Sequence, residues 1–250
     1  MGASYLKPRM ILGLVLLACI LGVSLHAGRT LAGALPSSAG LPMVAAFSAP
    51  QCGGCDPAID CCDQFNCTSP IILDLSGNGF FLTDASHGVV FDISGSGNPI
   101  HLGWTTPSAE NAFLALDRNG NGIIDDGTEL FGNFTPQPPS EHPNGFLALA
   151  VFDRPENGGN GDGIIDSHDR VFASLRLWID SNHDGICQPE ELYSLSSKGV
   201  EAVSLNYHAS MKRDQYGNMF RYRAKVNPRD RNDTSDIGRT AYDVFLVAAH

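Results

Sequence analysis

Residues 180–191, Asp-Ser-Asn-His-Asp-Gly-Ile-Cys-Gln-Pro-Glu-Glu, set oxygen-bearing side chains at alternate places: Asp180, Asn182 and Asp184 at loop positions 1, 3 and 5. Gly185 follows where a sharp turn is required, Ile186 offers its main-chain carbonyl at position 7, and Glu191 closes the loop at position 12. A hard cation such as Ca2+ needs about 6–8 oxygens at roughly 2.3–2.6 Å, and a chain curling round the ion at alternate residues supplies them. The competing reading is a polar turn with the same composition. The flanks favour the ion site: 169–179 has helical apolar spacing, and Pro189-Glu-Glu-Leu192 reads as a helix start.

The pattern recurs. In 117–129, Asp117, Asn119 and Asn121 take positions 1, 3 and 5 and Ile123 gives the carbonyl at position 7, but the closing acid, Glu129, comes one residue late. Either the exit bends to bring Glu129 in, or Asp125 and Asp126 complete the shell. In a third copy Asn160, Asp162, Ile164 and Asp169 hold positions 3, 5, 7 and 12, and Asp153 fills position 1 if residues 154–159 loop outward. Asp74–Gly79 and Asp92–Gly97 repeat only the first half with serines among the ligands, and read as ordinary β-turns. Carboxylate count sets affinity, so 180–191 is expected to bind most tightly.

The elements that must carry these loops follow from the runs between them. Ile71–Leu75, Phe80–Leu82, Val89–Ile93, Val200–Tyr207, Met219–Val226 and Ala241–Val247 read as strands. Asn111–Leu116, Thr128–Phe131 and Gly145–Phe152 read as helical flanks of the loops, and 133–143 as a Pro-rich surface loop. The expected class is α+β: calcium-loop helix pairs, EF-hand-like, flanked by short antiparallel β regions.

Residues 1–34 read as a secretory signal peptide, with Lys7 and Arg9 before an apolar stretch from Met10 to Leu25 and small residues at 32–34. An uncleaved anchor and a lipoprotein box at Leu16–Cys19 are the weaker readings. Removing this segment takes the net charge from −11 to −14, 13 Lys and Arg against 27 Asp and Glu. That acidity argues against nucleic acid and, after signal cleavage, against a membrane surface as partner. The expected address is secreted, cell-surface or periplasmic, with calcium ions and an unidentified extracellular protein as partners.

Residues 35–69 form a Pro/Gly linker followed by a segment carrying Cys52, Cys55, Cys61, Cys62 and Cys67, and residues 70–250 form the calcium-binding domain. In an exported chain the clustered cysteines read as a disulfide framework, a thiolate metal site being the competitor. Cys187, at position 8 of the best loop, is either a small buried hydrophobe or the partner of the odd clustered cysteine. The histidines are scattered, and neither His-Glu-x-x-His nor Gly-x-Ser-x-Gly occurs. His183 at position 4 is expected to face solvent, and Trp104 and Trp178 to pack the core beside the loops.

The run from Ser69-Pro-Ile-Ile-Leu-Asp-Leu through Phe91-Asp-Ile93, Gly103-Trp104, Leu114–Gly132 and Leu175–Asp180 to Leu205-Asn-Tyr207 resembles the calcium-dependent self-processing module of bacterial RTX proteins. With Phe220–Val226 and Tyr242–Leu246 the chain is also similar to uncharacterised secreted bacterial EF-hand-type proteins. The resemblance implies calcium-induced folding and cleavage of an Asp-Pro bond by attack of the Asp carboxylate on its own carbonyl. Here Ser69-Pro70 occupies that place, and a serine has no carboxylate to form the anhydride. The expectation is therefore an exported calcium-binding protein stabilised by two or three ions, with self-processing the disfavoured alternative.

Overall fold

The computed structural model describes residues 68–235 and 237–249, all within the compact unit Pro42–His250. The expected signal peptide, the linker and the clustered cysteines lie outside the described residues. Eleven strands follow in order: β1 (Ile71–Asp74), β2 (Val89–Phe91), β3 (Ile100–Leu102), β4 (Asn111–Ala115), β5 (Ile164–Asp166), β6 (Arg176–Trp178), β7 (Leu192–Ser194), β8 (Ala202–Ser204), β9 (His208–Arg213), β10 (Met219–Lys225) and β11 (Thr240–Phe245). One short helix, α1 (Gly145–Ala150), interrupts them, capped by the Asn144 side chain accepting from Leu147 N.

Seven strands make one antiparallel sheet in the order β7-β6-β4-β1-β11-β10-β9, while β2 pairs β3 and β5 pairs β8. The central strands are buried on both faces. Ile71 and Leu73 of β1 and Ala112 and Leu114 of β4 enter one apolar cluster with Phe146, Phe152, Ile165 and Leu175. The intervening Ile72, Phe113 and Ala115 enter a second cluster with Phe91, Trp104, Ile124, Trp178 and Cys187. Successive side chains point to opposite faces of a strand, so two covered faces demand an unbroken apolar run.

That burial overturns the expected fold class. The protein is mostly antiparallel sheet with one short helix among the described residues, not an α+β fold of EF-hand-like helix pairs. Asn111–Ala115 is β4, because a strand buried on both sides has no alternation to separate it from a buried helix. Residues 169–179 make one tight turn, with Leu175 N bonded to Val171 O, and then become β6. Pro189–Glu191 is a single 3-10 turn leading into β7. Thr128–Phe131 is extended and returns along β4 through the Ala115–Leu130 bridge. Of the three helical flanks, only Gly145–Phe152 is helical: α1 followed by the 3-10 turn Val151–Asp153. Phe80–Leu82 contributes only a bridge from Leu82 to Thr105.

Candidate metal centres

Two of the acidic loops are hairpin connections between strands. Leu116 N donates to Glu129 O at 2.8 Å, closing 117–129, and Ile179 N donates to Glu191 O at 3.0 Å, closing 180–191. In each, the residue before position 1 bonds the carbonyl of the closing acid. Glu129 and Glu191 are therefore equivalent despite their different spacing. The extra residue is taken up at Asp126-Gly127-Thr128, where Gly127 N donates to Asp92 O at 2.8 Å. A Cβ on Gly127 would lie 1.8 Å from Ile93 O, so only glycine fits the detour.

Inside the loops the same bonds appear three times. The first acid accepts main-chain N–H groups at the turn: Asp117 from Gly120 and Gly122, Asp153 from Gly161 and Gly163, Asp180 from Asp184 and Gly185. The position-3 oxygen accepts from the position-5 N–H, at Asn119, Asn160 and Asn182. The position-5 oxygen accepts from the position-7 N–H, which places Ile123, Ile164 and Ile186 alike. The closing acid straps entrance to exit: Glu129 accepts from Arg118 and Asp125, Asp169 from Asn160 and Asp166, Glu191 from Ser181 and, at 3.5 Å, Gln188. Asp153 thus stands where Asp117 and Asp180 stand in the other two loops. Residues 154–159 loop out through a 3-10 turn at Pro155–Asn157, and Gly159 is pressed against the Asp153 backbone.

The first halves at Asp74 and Asp92 curl in the same way, Asp74 accepting from Gly77 and Gly79 and Asp92 from Ser96 and Gly97. Among the described residues no closing carboxylate bonds into either turn.

The closing acids are deeply placed: Glu129, Asp169 and Glu191 are 2–3 % exposed, and Asp180 is 2 % exposed. Burial pushes the carboxyls of Asp180 and Asp169 above the usual carboxylate range, against the main-chain N–H bonds that lower them. Two features escaped the sequence reading. The Trp104 indole donates to Asp180 Oδ2 at 2.8 Å, and the Trp178 indole to Glu191 Oε2 at 3.3 Å, so the tryptophans pack the core and also hold the first and last acids of one loop. Arg118 lies beside the rings of Phe131 and Phe152, its guanidinium pushed down to about 10 by burial despite the Glu129 charge. Spacing carries no signal for such contacts, which cross from one sequence region to another.

His183 is not solvated at both nitrogens as expected. Its Nδ1 meets Thr105 O at 2.7 Å and its Nε2 meets His87 O at 2.8 Å, tying the loop to two other segments. Cys187 is free and buried, its thiol pushed up to about 11 by burial, and it packs as a small hydrophobe. The clustered cysteines that could pair with Cys187 lie outside the described residues.

Among the described residues no group of three or more His, Cys, Asp or Glu side chains is assembled as a metal site. The loops instead carry mixed side-chain oxygens, carboxylates and Asn amides, at alternate positions. That donor set lacks nitrogen and sulfur and fits a hard cation, not zinc or copper. No helix among the described residues is long and apolar enough to cross a membrane.

An antiparallel sheet bearing three acidic, glycine-turned loops of one internal bonding pattern defines a loop-bearing β domain. The chain belongs to the SPM domain family, whose match spans residues 71–244. It is similar to the iron-regulated protein FrpA of Neisseria meningitidis serogroup C, 36 % identical over 188 residues. The aligned region is 74 % of this chain but only 16 % of that relative.

Proposed function

We propose that residues 70–250 form an exported calcium-binding domain, stabilised by two or three ions at 117–129, 153–169 and 180–191, and serving as a structural or interaction module. The threefold recurrence of one bonding pattern, with a position-1 acid and a closing acid in each loop, supports this reading. When bound, calcium supplies positive charge to carboxylates that otherwise repel one another. The chain's own part is to hold them there: main-chain N–H groups aim Asp117, Asp153 and Asp180, while Glu129, Asp169 and Glu191 fix entrance to exit. Asn119 and Asn121 both turn their amide nitrogens to Asp125 Oδ2, while their amide oxygens accept the main-chain N–H groups of Asn121 and Ile123.

A ligand that binds the folded chain alone raises its stability by mass action. Thermal unfolding of the purified protein should shift upward by several degrees or more in millimolar calcium relative to chelator. Identical melting in the two conditions would remove the reading. Magnesium at the same concentration is expected to do less, because it demands tighter octahedral geometry than these mixed loops provide.

A further inference from the structure

Strand β9 ends the seven-stranded sheet, and among the described residues nothing pairs with its outer edge. Such an edge offers a row of main-chain donors and acceptors, which proteins usually guard with a lysine projecting from it. Lys212 does not guard this one. Its ammonium is drawn over the sheet face, 4.6 Å from the ring centre of Phe220, 5.2 Å from Phe80 and 5.3 Å from Tyr242. Its main-chain N–H donates to a neighbour's hydroxyl, Ser210 Oγ at 3.2 Å. Met211 beside it is 85 % exposed.

Charge says what the edge would accept. The β9–β10 hairpin, residues 208–225, holds five of the chain's 16 Lys and Arg against one of its 27 acids, Asp214, so an acidic protein carries a locally basic hairpin. Pairing β9 with itself about its centre would set Arg213 opposite His208 and bring two basic hairpins together, which like charges disfavour. We propose that β9 receives an extended acidic segment of a partner protein by antiparallel or parallel strand addition. Main-chain bonds supply the attachment, Arg213 reads an acidic side chain, and Met211 is covered by the incoming strand. This inference does not depend on calcium binding.

The test uses the purified protein and a seven-residue blocked peptide alternating glutamate and valine, with a glutamine–valine peptide as control. Binding is read by fluorescence anisotropy, and its place by amide hydrogen exchange. The acidic peptide should slow exchange within 208–213. Arg213→Glu should weaken binding about fivefold, and Ser210→Ala, which releases the Lys212 N–H, should strengthen it about twofold. Equal binding of the glutamine peptide, protection elsewhere in the chain, or no binding would overturn the proposal. So would self-association in sedimentation that occupies β9 and that the peptide leaves unchanged, since the occupant would then be a second copy.

Discussion

Trp104 Nε1 donates to Asp180 Oδ2 at 2.8 Å, a bond between a fully buried indole and the first acid of the 180–191 loop, 76 residues apart in sequence. It anchors that loop directly in the aromatic cluster of Phe91, Phe113 and Trp178. Removing the donor leaves a buried carboxylate short of a partner, which costs about 1–3 kcal/mol. Trp104→Phe is expected to lose about that much stability in urea unfolding with chelator present. Calcium titration of the unmodified protein should also change tryptophan emission. A variant as stable as the parent would show that the bond contributes nothing.

The closing acids give the second prediction. Glu191→Gln removes a carboxylate from the loop with acids at positions 1 and 5, and Glu129→Gln from one with asparagines at positions 3 and 5. The first should cost more total calcium affinity, by about tenfold at the tightest site. Titration calorimetry on both variants decides the ranking, and a larger loss at Glu129 reverses it.

Gly127 tests the detour that makes the 117–129 loop one residue longer. Its would-be Cβ meets main chain, Ile93 O at 1.8 Å, so Gly127→Ala must displace one segment or the other. Overpacking of this kind costs about 1–3 kcal/mol. A fall in melting temperature accompanied by weaker calcium binding is expected, and unchanged melting would mean the two segments separate freely.

Asp243 gives a pH dependence. Its side chain is wholly buried, Oδ2 accepts from Gly145 N at 2.6 Å, and burial raises the carboxyl from 3.8 to about 6 against the Ser69 and Gly145 hydrogen bonds and the Arg221 charge that lower it. The folded chain therefore holds this proton more firmly than the unfolded chain. The resulting stability is full below pH 4 and lost as the pH climbs through 6, to a total of roughly 3 kcal/mol. Asp243→Asn has no such proton to lose. The variant should gain on the parent between pH 4.5 and 7.5 in chelator, as followed by urea unfolding, and a difference constant with pH contradicts the assignment.

Ser69 bears on self-processing. It is buried, and its N–H donates to Asn133 Oδ1 at 2.8 Å, beside a bridge from Pro70 to Gly132. With a hydroxyl in place of the carboxylate, the chain should stay whole through prolonged incubation with calcium on a denaturing gel. A fragment beginning at Pro70 would replace the binding-only reading. Ser69→Asp then asks whether the surrounding fold still supports the reaction.

What the sequence determined by itself is local. Alternating oxygens with glycine at the turn specify the curl of each loop within a dozen residues, so Asp117, Asp180 and Glu191 could be placed from spacing, and Asp153 from the shape of what must bulge. The strands at 71–74, 89–91, 219–225 and 240–245 were legible because turn residues bound short apolar runs. The tertiary structure alone decided what surrounds the loops. β4 and β6 lie between two apolar clusters, and covering both faces erases the period of two that distinguishes a strand, so helices were expected where strands stand. It also decided which distant groups reach the acids: Trp104 at Asp180, Trp178 at Glu191, Arg118 near Glu129. Such contacts arise from strand order, and strand order is set by how all the apolar faces are buried at once, which no single stretch of residues records.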